Sequence, residues 1–303
     1  MKIAYLTSCL PQASLERKIE IAKDIGFEAL ELACWPRNNE RDYSSSDIDV
    51  RNFTAEDAEK LKERFARENL EISSLAYYDN NLNRDLALRK AVNEHTKKCI
   101  DAAALLGVDS VGTFAGRNID KSIAGNFDEF EEVFTDLVEY AAERNVKLII
   151  ENCPMIGWQR RGAPGTISYS AELWEEMFRR VPHKNFGLNF DPSHLAFLLI
   201  DYLPLIEAFK DRIFHVHAKD AEVNEKLLHE YGVFNAQLSD DSWWRFRMPG
   251  QGDVDFPAMI KALRDIGYDG VVSIEHEDKD YEGSEERIVE GLKKGYAYIK
   301  PLL

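Results

Sequence analysis

The chain has 303 residues, of which 45% are hydrophobic and 30% charged, a balance that supports a buried core and excludes collagen-like, coiled-coil and disordered classes. Lys and Arg total 38 against 54 for Asp and Glu, a formal net charge of −16, so the average surface repels a phosphodiester backbone and nucleic acid is not an expected partner. No apolar run approaches the roughly 20 residues of a membrane span, no signal-peptide cleavage pattern follows Met1, and Cys9, Cys34, Cys99 and Cys153 share no CxxC spacing, so a cytoplasmic protein with buried, reduced thiols and no membrane partner is expected.

In chain order, short β-prone apolar runs alternate with longer amphipathic stretches. Ile3–Thr7 reads as a strand and Leu15–Asp24 as a helix, then Ala29–Cys34 and Ala55–Asn69, Ile72–Ala76 and Asp85–Leu106, and Ser110–Thr113 and Phe127–Arg144. The second half continues with Leu148–Glu151 and Ala171–Arg180, Phe186–Asp191 and Leu203–Phe209, Ile213–His217 and Pro257–Ile266, and Val271–Glu275 and Glu285–Ile299. Each strand is a compact run suited to a sheet covered on both faces. Gly26, Gly107 and Gly267 follow their helices as left-handed caps.

Eight such repeats without a Pro/Gly/Ser-rich linker predict an α/β fold: a (β/α)8 TIM barrel, one domain over 1–303. A doubly wound open sheet is the alternative, but it calls for a glycine-rich turn after the first strand, and Ser8–Cys9–Leu10–Pro11–Gln12 has none. Two connections exceed plain βα loops: Trp35 to Thr54, and Ala218 to Val254, which holds an insertion at about 221–253 after the seventh strand. That insertion carries Trp243, Trp244, Arg245 and Arg247 and reads either as a substrate lid or as a surface insertion or subunit contact.

Glu151, Asp191, His217 and Glu275 fall at the C-terminal ends of four consecutive predicted strands, the end where barrel active sites are built. Side chains alternate along a strand, so Asn189 shares a face with Asp191, and His215 with His217. Three carboxylates and one imidazole meeting in a barrel mouth repel one another unless a cation neutralises them, which predicts a metal site. Three oxygens and one nitrogen favour one hard or borderline divalent ion, Mn, Co or Mg, with Zn also admitted. His215 lies one layer deeper and is expected to pack behind the site. His276 is expected to face the helices, and Glu277 and Asp278 read as ordinary exposed acids.

The segments "LIIEN", "NFDPSHL", "FHVHAKD", "PGQGDVDF" and "VVSIEHED" resemble the xylose-isomerase-like barrel superfamily, which includes sugar phosphate isomerases/epimerases, ketose 3-epimerases, inosose isomerases and dehydratases, and the endonuclease IV group. The resemblance spans most of the chain and is densest from Lys147 to Asp278. It implies Glu151, Asp191, His217 and Glu275 as metal ligands, His194 beside the substrate hydroxyls or a metal-bound water, and Arg247 as a substrate contact, with Arg245 its rival. It also implies a small-molecule sugar substrate and leaves a homo-oligomer open. Endonuclease IV relatives add histidines from earlier strands, whereas this chain has Tyr77–Tyr78–Asp79–Asn80 and Phe114–Ala115–Gly116 there. A trinuclear nuclease site is therefore not expected.

A cation held by a ketone oxygen and its neighbouring hydroxyl makes the α-proton acidic. Glu151 and Glu275 would take and return that proton, giving epimerisation or isomerisation. If a leaving group sits β to the carbonyl, the same chemistry gives a lyase, a dehydratase or a 3-keto-glycoside cleaving enzyme. Trp158, Trp243 and Trp244 are candidate stacking surfaces for a sugar or an aglycone. Lys219, just past His217, is a candidate substrate contact whose alternative is a salt bridge to Asp220 or Glu222. Arg117, Arg160 and Arg161 are further candidate cations. A non-catalytic carbohydrate-binding barrel is the competing reading of different class.

Overall fold

The computed structural model describes residues 1–37, 45–159, 162–234 and 242–303. Strands β1 (Lys2–Leu6), β2 (Ala29–Ala33), β3 (Glu71–Asn80), β4 (Ser110–Phe114), β5 (Lys147–Glu151), β6 (Phe186–Phe190) and β7 (Ile213–Ala218) lie side by side in parallel. The chain then leaves the sheet for an antiparallel ribbon, β8 (Asp220–Val223) and β9 (Trp244–Arg247), and returns as β10 (Val271–Ile274), which pairs with both β7 and β1 and closes the barrel. The helices are α1 (Leu15–Ile25), α2 (Ala55–Arg67), α3 (Leu86–Leu106), α4 (Phe127–Ala142), α5 (Ala171–Arg180), α6 (Pro192–Phe197), α7 (Leu203–Ala208), α8 (Glu225–Tyr231), α9 (Phe256–Asp265) and α10 (Glu285–Ile299). The expected (β/α)8 barrel is the observed one, and among the described residues no helix is long and apolar enough to cross a membrane.

Local chemistry explains the boundaries. Ser14, Thr54, Asp85, Asp255 and Ser284 accept first-turn N–H groups of α1, α2, α3, α9 and α10, satisfying donors that have no partner inside the helix. Gly26, Gly107 and Gly267 sit at φ +106°, +72° and +78°, the left-handed region a side chain disfavours. Apolar faces of the helices meet the outer faces of the strands: Phe130 and Phe134 of α4 stack at 4.6 Å and pack on Phe186 of β6.

Three features were not anticipated. Strand β3 runs on through Asn80, with a register shift between Ala76 and Asn80 against β4, where the bulky Tyr77 and Tyr78 extend it. Helix α6 begins at Pro192 because Asp191 caps it, its carboxylate accepting the Ser193 N–H at 2.8 Å, while Pro192 supplies a helical φ without a wasted donor. The ribbon is the third. Its anchor is Asp220, whose carboxylate accepts the N–H groups of Ala221, Gly250, Gly252 and Val254 at 2.8 to 3.0 Å. Gly252 must be glycine there, since a Cβ would stand 2.4 Å from Asp220 Oδ1.

Beside β1 and β2, Lys18 of α1 is fully buried and its Nζ lies 2.6 Å from Asp47 and 3.0 Å from Ser45 Oγ. Asp47 also accepts from Thr7 Oγ1 at 2.5 Å and Ala33 N at 3.3 Å. This cluster pins the end of the connection between β2 and α2 to β1.

Candidate metal centre

Glu151 ends β5, Asp191 follows β6, His217 lies near the end of β7 and Glu275 follows β10. The register sets them at one level: Glu151 pairs with Asn189, two residues before Asp191, and His217 pairs with Ser273, two before Glu275. Asn152 then locks β5 to the start of α6, its amide donating to Asp191 O and accepting from Asp191 N, both at 2.8 Å. One donor atom from each of Glu151, Asp191, His217 and Glu275 lies within 4.8 Å of the others, and all four residues are buried.

His217 orients the cluster. Its Nδ1 lies 3.0 Å from both Glu151 Oε1 and Glu275 Oε2, while Nε2 lies 2.9 Å from Glu31 Oε2. Glu31, in β2, also accepts the Tyr78 hydroxyl at 2.7 Å. Burial alone would push the Glu31 carboxyl up, but the imidazoles of His217 and His215 and the Tyr78 hydroxyl outweigh it and hold it at about 2. His217 itself, despite its burial, is raised well above the usual imidazole range by Glu31 and Glu275. His215 occupies the layer below, its Nδ1 3.0 Å from Asn189 Oδ1 and its Nε2 3.3 Å from Ser73 Oγ, and burial lowers it to about 4.

Lys219 lies deeper in the chemistry than its position beside Asp220 suggested. It is 1% exposed, and Nζ lies 2.7 Å from Glu275 Oε2, 3.1 Å from Glu277 Oε2, 3.2 Å from His194 Nε2 and 3.3 Å from Asp191 Oδ2. Asp220 and Glu222 are spent elsewhere, on the turn and on Arg245. Burial would raise Glu275, and neighbouring Glu151 adds to that, yet Lys219 and His217 carry it below the usual carboxylate range. Asp191 goes the other way: burial raises it, and its Oδ2 accepts no hydrogen bond. That oxygen, ion-paired with Lys219 yet without a hydrogen bond, and the convergence of three carboxylates and one imidazole are the donor chemistry a divalent cation requires.

Above the cluster opens a cavity of about 880 Å3 whose floor includes His194, Lys219, Cys153 and Glu277, and whose walls include Trp158 and Trp244. His194, one turn into α6, is buried, with Nε2 3.4 Å from Asp191 Oδ2 and 3.5 Å from Glu151 Oε1. Trp244 stacks on Phe197 at 4.1 Å and 11°, and Trp158 meets Phe114 edge-on at 5.8 Å.

Other expected contacts fall away from this wall. Trp243 is buried, does not line the cavity, and donates its indole N–H to Val233 O. Arg247 turns to Asp280 at 2.5 Å and Gln251 at 3.3 Å, whereas Arg245 reaches the cavity while bonded to Glu222 at 2.7 Å. Arg117 is buried and donates to Pro164 O and Lys121 O, and Arg160 and Arg161 lie outside the described residues. The expectation that Glu277 and Asp278 are ordinary exposed acids is corrected. Glu277 is bonded to Lys219 and raised by burial to about 7, and Asp278 is buried, accepting from Met248 N and Asp280 N. His276 does pack on a helix, against Gly291 of α10.

A family model described as xylose isomerase-like TIM barrel matches residues 19–300. The chain belongs to that family. This xylose isomerase-like barrel is 25% identical over 301 residues to an inosose dehydratase of Lactiplantibacillus plantarum, covering 91% of this chain and 93% of the relative. It is 24% identical over 281 residues to an inosose isomerase of Bacillus velezensis, covering 91% and 88%. A crystal structure of IOLI protein with a binding zinc atom superposes with a TM-score of 0.73 at 20% identity, covering 100% of this chain and 99% of that one; at that identity the match establishes the fold.

Proposed function

We propose that this protein is a divalent-metal-dependent isomerase or epimerase that acts on a keto-sugar or keto-inositol by proton transfer through an enediolate, with Glu151, Asp191, His217 and Glu275 holding the ion. The observation that carries this reading is the convergence of those four donors within 4.8 Å beneath the cavity floor. A divalent cation bound there would polarise a substrate carbonyl and acidify the neighbouring C–H. The names of the inosose relatives support a keto-inositol or similar substrate.

The protein's own groups supply the rest. Glu151 and Glu275 come from strands on either side of His217, each 3.0 Å from its Nδ1; one carboxylate would remove a proton and the other return one. Lys219 and His194 face the cavity from its floor and would bind substrate oxygens, the ammonium as a charged donor. Trp158 and Trp244 would cover the sugar's apolar face, while Trp243 and Arg247 lie off the cavity lining.

Lys219 also favours a second reading. A buried ammonium beside Glu275 and His194 can give a proton to an oxygen leaving from the carbon β to the carbonyl, which would make the enzyme a dehydratase or a 3-keto-glycoside lyase. The test is incubation of Mn2+-loaded protein with ketoses, inososes and 3-keto-glucosides in D2O, followed by NMR. Deuterium at the carbon beside the carbonyl with all oxygens retained supports the isomerase. An unsaturated product with released water or alcohol selects the lyase. No exchange with any substrate, from protein that binds no metal, overturns both in favour of a binding barrel.

A further inference from the structure

A second group of residues able to hold a metal ion abuts the first. A carboxylate oxygen of Glu151, Sγ of Cys153 and a ring nitrogen of His194 lie within 4.8 Å of one another, all buried. His194 Nδ1 is buried and has no hydrogen-bond partner, so one nitrogen of this ring is free to ligate. The backbone N–H of Met155 donates to Cys153 Sγ at 3.3 Å, which orients the sulfur. Both Cys153 and His194 line the cavity, so an ion reaching that floor would meet them directly.

We propose that Glu151, Cys153 and His194 form a second cation site, open to the cavity and selective for a thiophilic divalent ion of the zinc class. One sulfur, one nitrogen and one oxygen make a softer set than the three oxygens and one nitrogen beside it. Three protein ligands leave a fourth position for water or a substrate oxygen. Binding exchanges the thiol proton for the metal, and the proton leaves to solvent. Because Glu151 is common to both, the second site rests on the first-centre reading for that shared ligand, and the two fail separately.

The test uses Co2+ alone, titrated into metal-free full-length protein while cobalt content and the near-ultraviolet thiolate-to-cobalt absorption are read together. The expected result is two equivalents and a sulfur-to-cobalt band. Cys153→Ser loses the band and one equivalent, and His194→Gln, which keeps the sulfur, loses the same equivalent. Asp191→Asn removes the other equivalent and keeps the band. One equivalent without a band overturns the second site and leaves the first reading standing. One equivalent with a Cys153-dependent band supports the second site and overturns the first. A band unchanged in Cys153→Ser places the sulfur ligand elsewhere and overturns the proposal, and no bound cobalt overturns both.

Discussion

Glu31 holds His217 by the nitrogen that faces away from the candidate metal centre: Oε2 lies 2.9 Å from Nε2, leaving Nδ1 turned toward Glu151 and Glu275 at 3.0 Å. A carboxylate behind a ligating imidazole fixes its tautomer and ring orientation and raises its basicity. Glu31→Gln keeps the size and most of the hydrogen bonding but removes the charge. Metal affinity is expected to fall about 10–100-fold, read by titration calorimetry with Mn2+, while the folded circular-dichroism spectrum is retained. Unchanged affinity would refute the role.

Lys219 would compete with a bound cation for the same carboxylates. In Lys219→Gln, Glu275 loses the ammonium 2.7 Å away, so the variant is expected to bind a divalent ion more tightly than the parent. Turnover is expected to drop by roughly 100-fold or more if the ammonium contacts substrate or transfers a proton. Weaker metal binding with normal turnover would contradict both statements.

Two buried imidazoles set an acid limit. His215 and His276 are each lowered to about 4, chiefly by burial, against about 6.5 in an unfolded chain. The unfolded state therefore binds more protons between those values, so stability is full above pH 6.5 and declines as the pH falls toward 4. The loss is about 2 kcal/mol per histidine between neutral pH and pH 5. Urea unfolding at pH 7 and pH 5 measures it, and His276→Asn should remove part of the difference.

The Lys18–Asp47 pair is buried on both sides, with side chains 1% and 3% exposed. Lys18→Met leaves the Asp47 charge without its partner and is expected to cost about 3–5 kcal/mol. Asp47→Asn in the same chain should recover part of that loss, and chemical denaturation of the three variants decides it.

Much of this site was legible because its residues sit where strand periodicity stops. Glu151, Asp191, His217 and Glu275 end apolar runs, and an acid or imidazole at that point stands out against the pattern. Glu31 did not stand out, since it lies inside the run Ala29–Ala33 and looks like any strand acid. The available signal was its company: a charge in a strand buried on both faces needs a partner. Glu277 and Asp278 were misread because nothing local distinguishes a loop acid that reaches Lys219 or Met248 N from one in water. The ribbon was hidden by its pairing, which joins Asp220–Val223 to Trp244–Arg247 through a carboxylate whose four N–H partners lie mostly some thirty residues downstream. Arg247 and Trp243 could be placed on the insertion by sequence, but only that pairing decides which aromatic and which arginine look inward.

Asp220 has a consequence for how this barrel can diversify. By tying the exit of β7 directly to the turn that leads into α9, it makes a short circuit across the base of the insertion, so the barrel wall is closed whether the excursion above it is long or brief. Segments grafted into or trimmed from 224–243 would then change what enters the mouth while leaving His217 and Glu275 where they are, a division of labour that lets selection rewrite specificity without retuning the reactive centre.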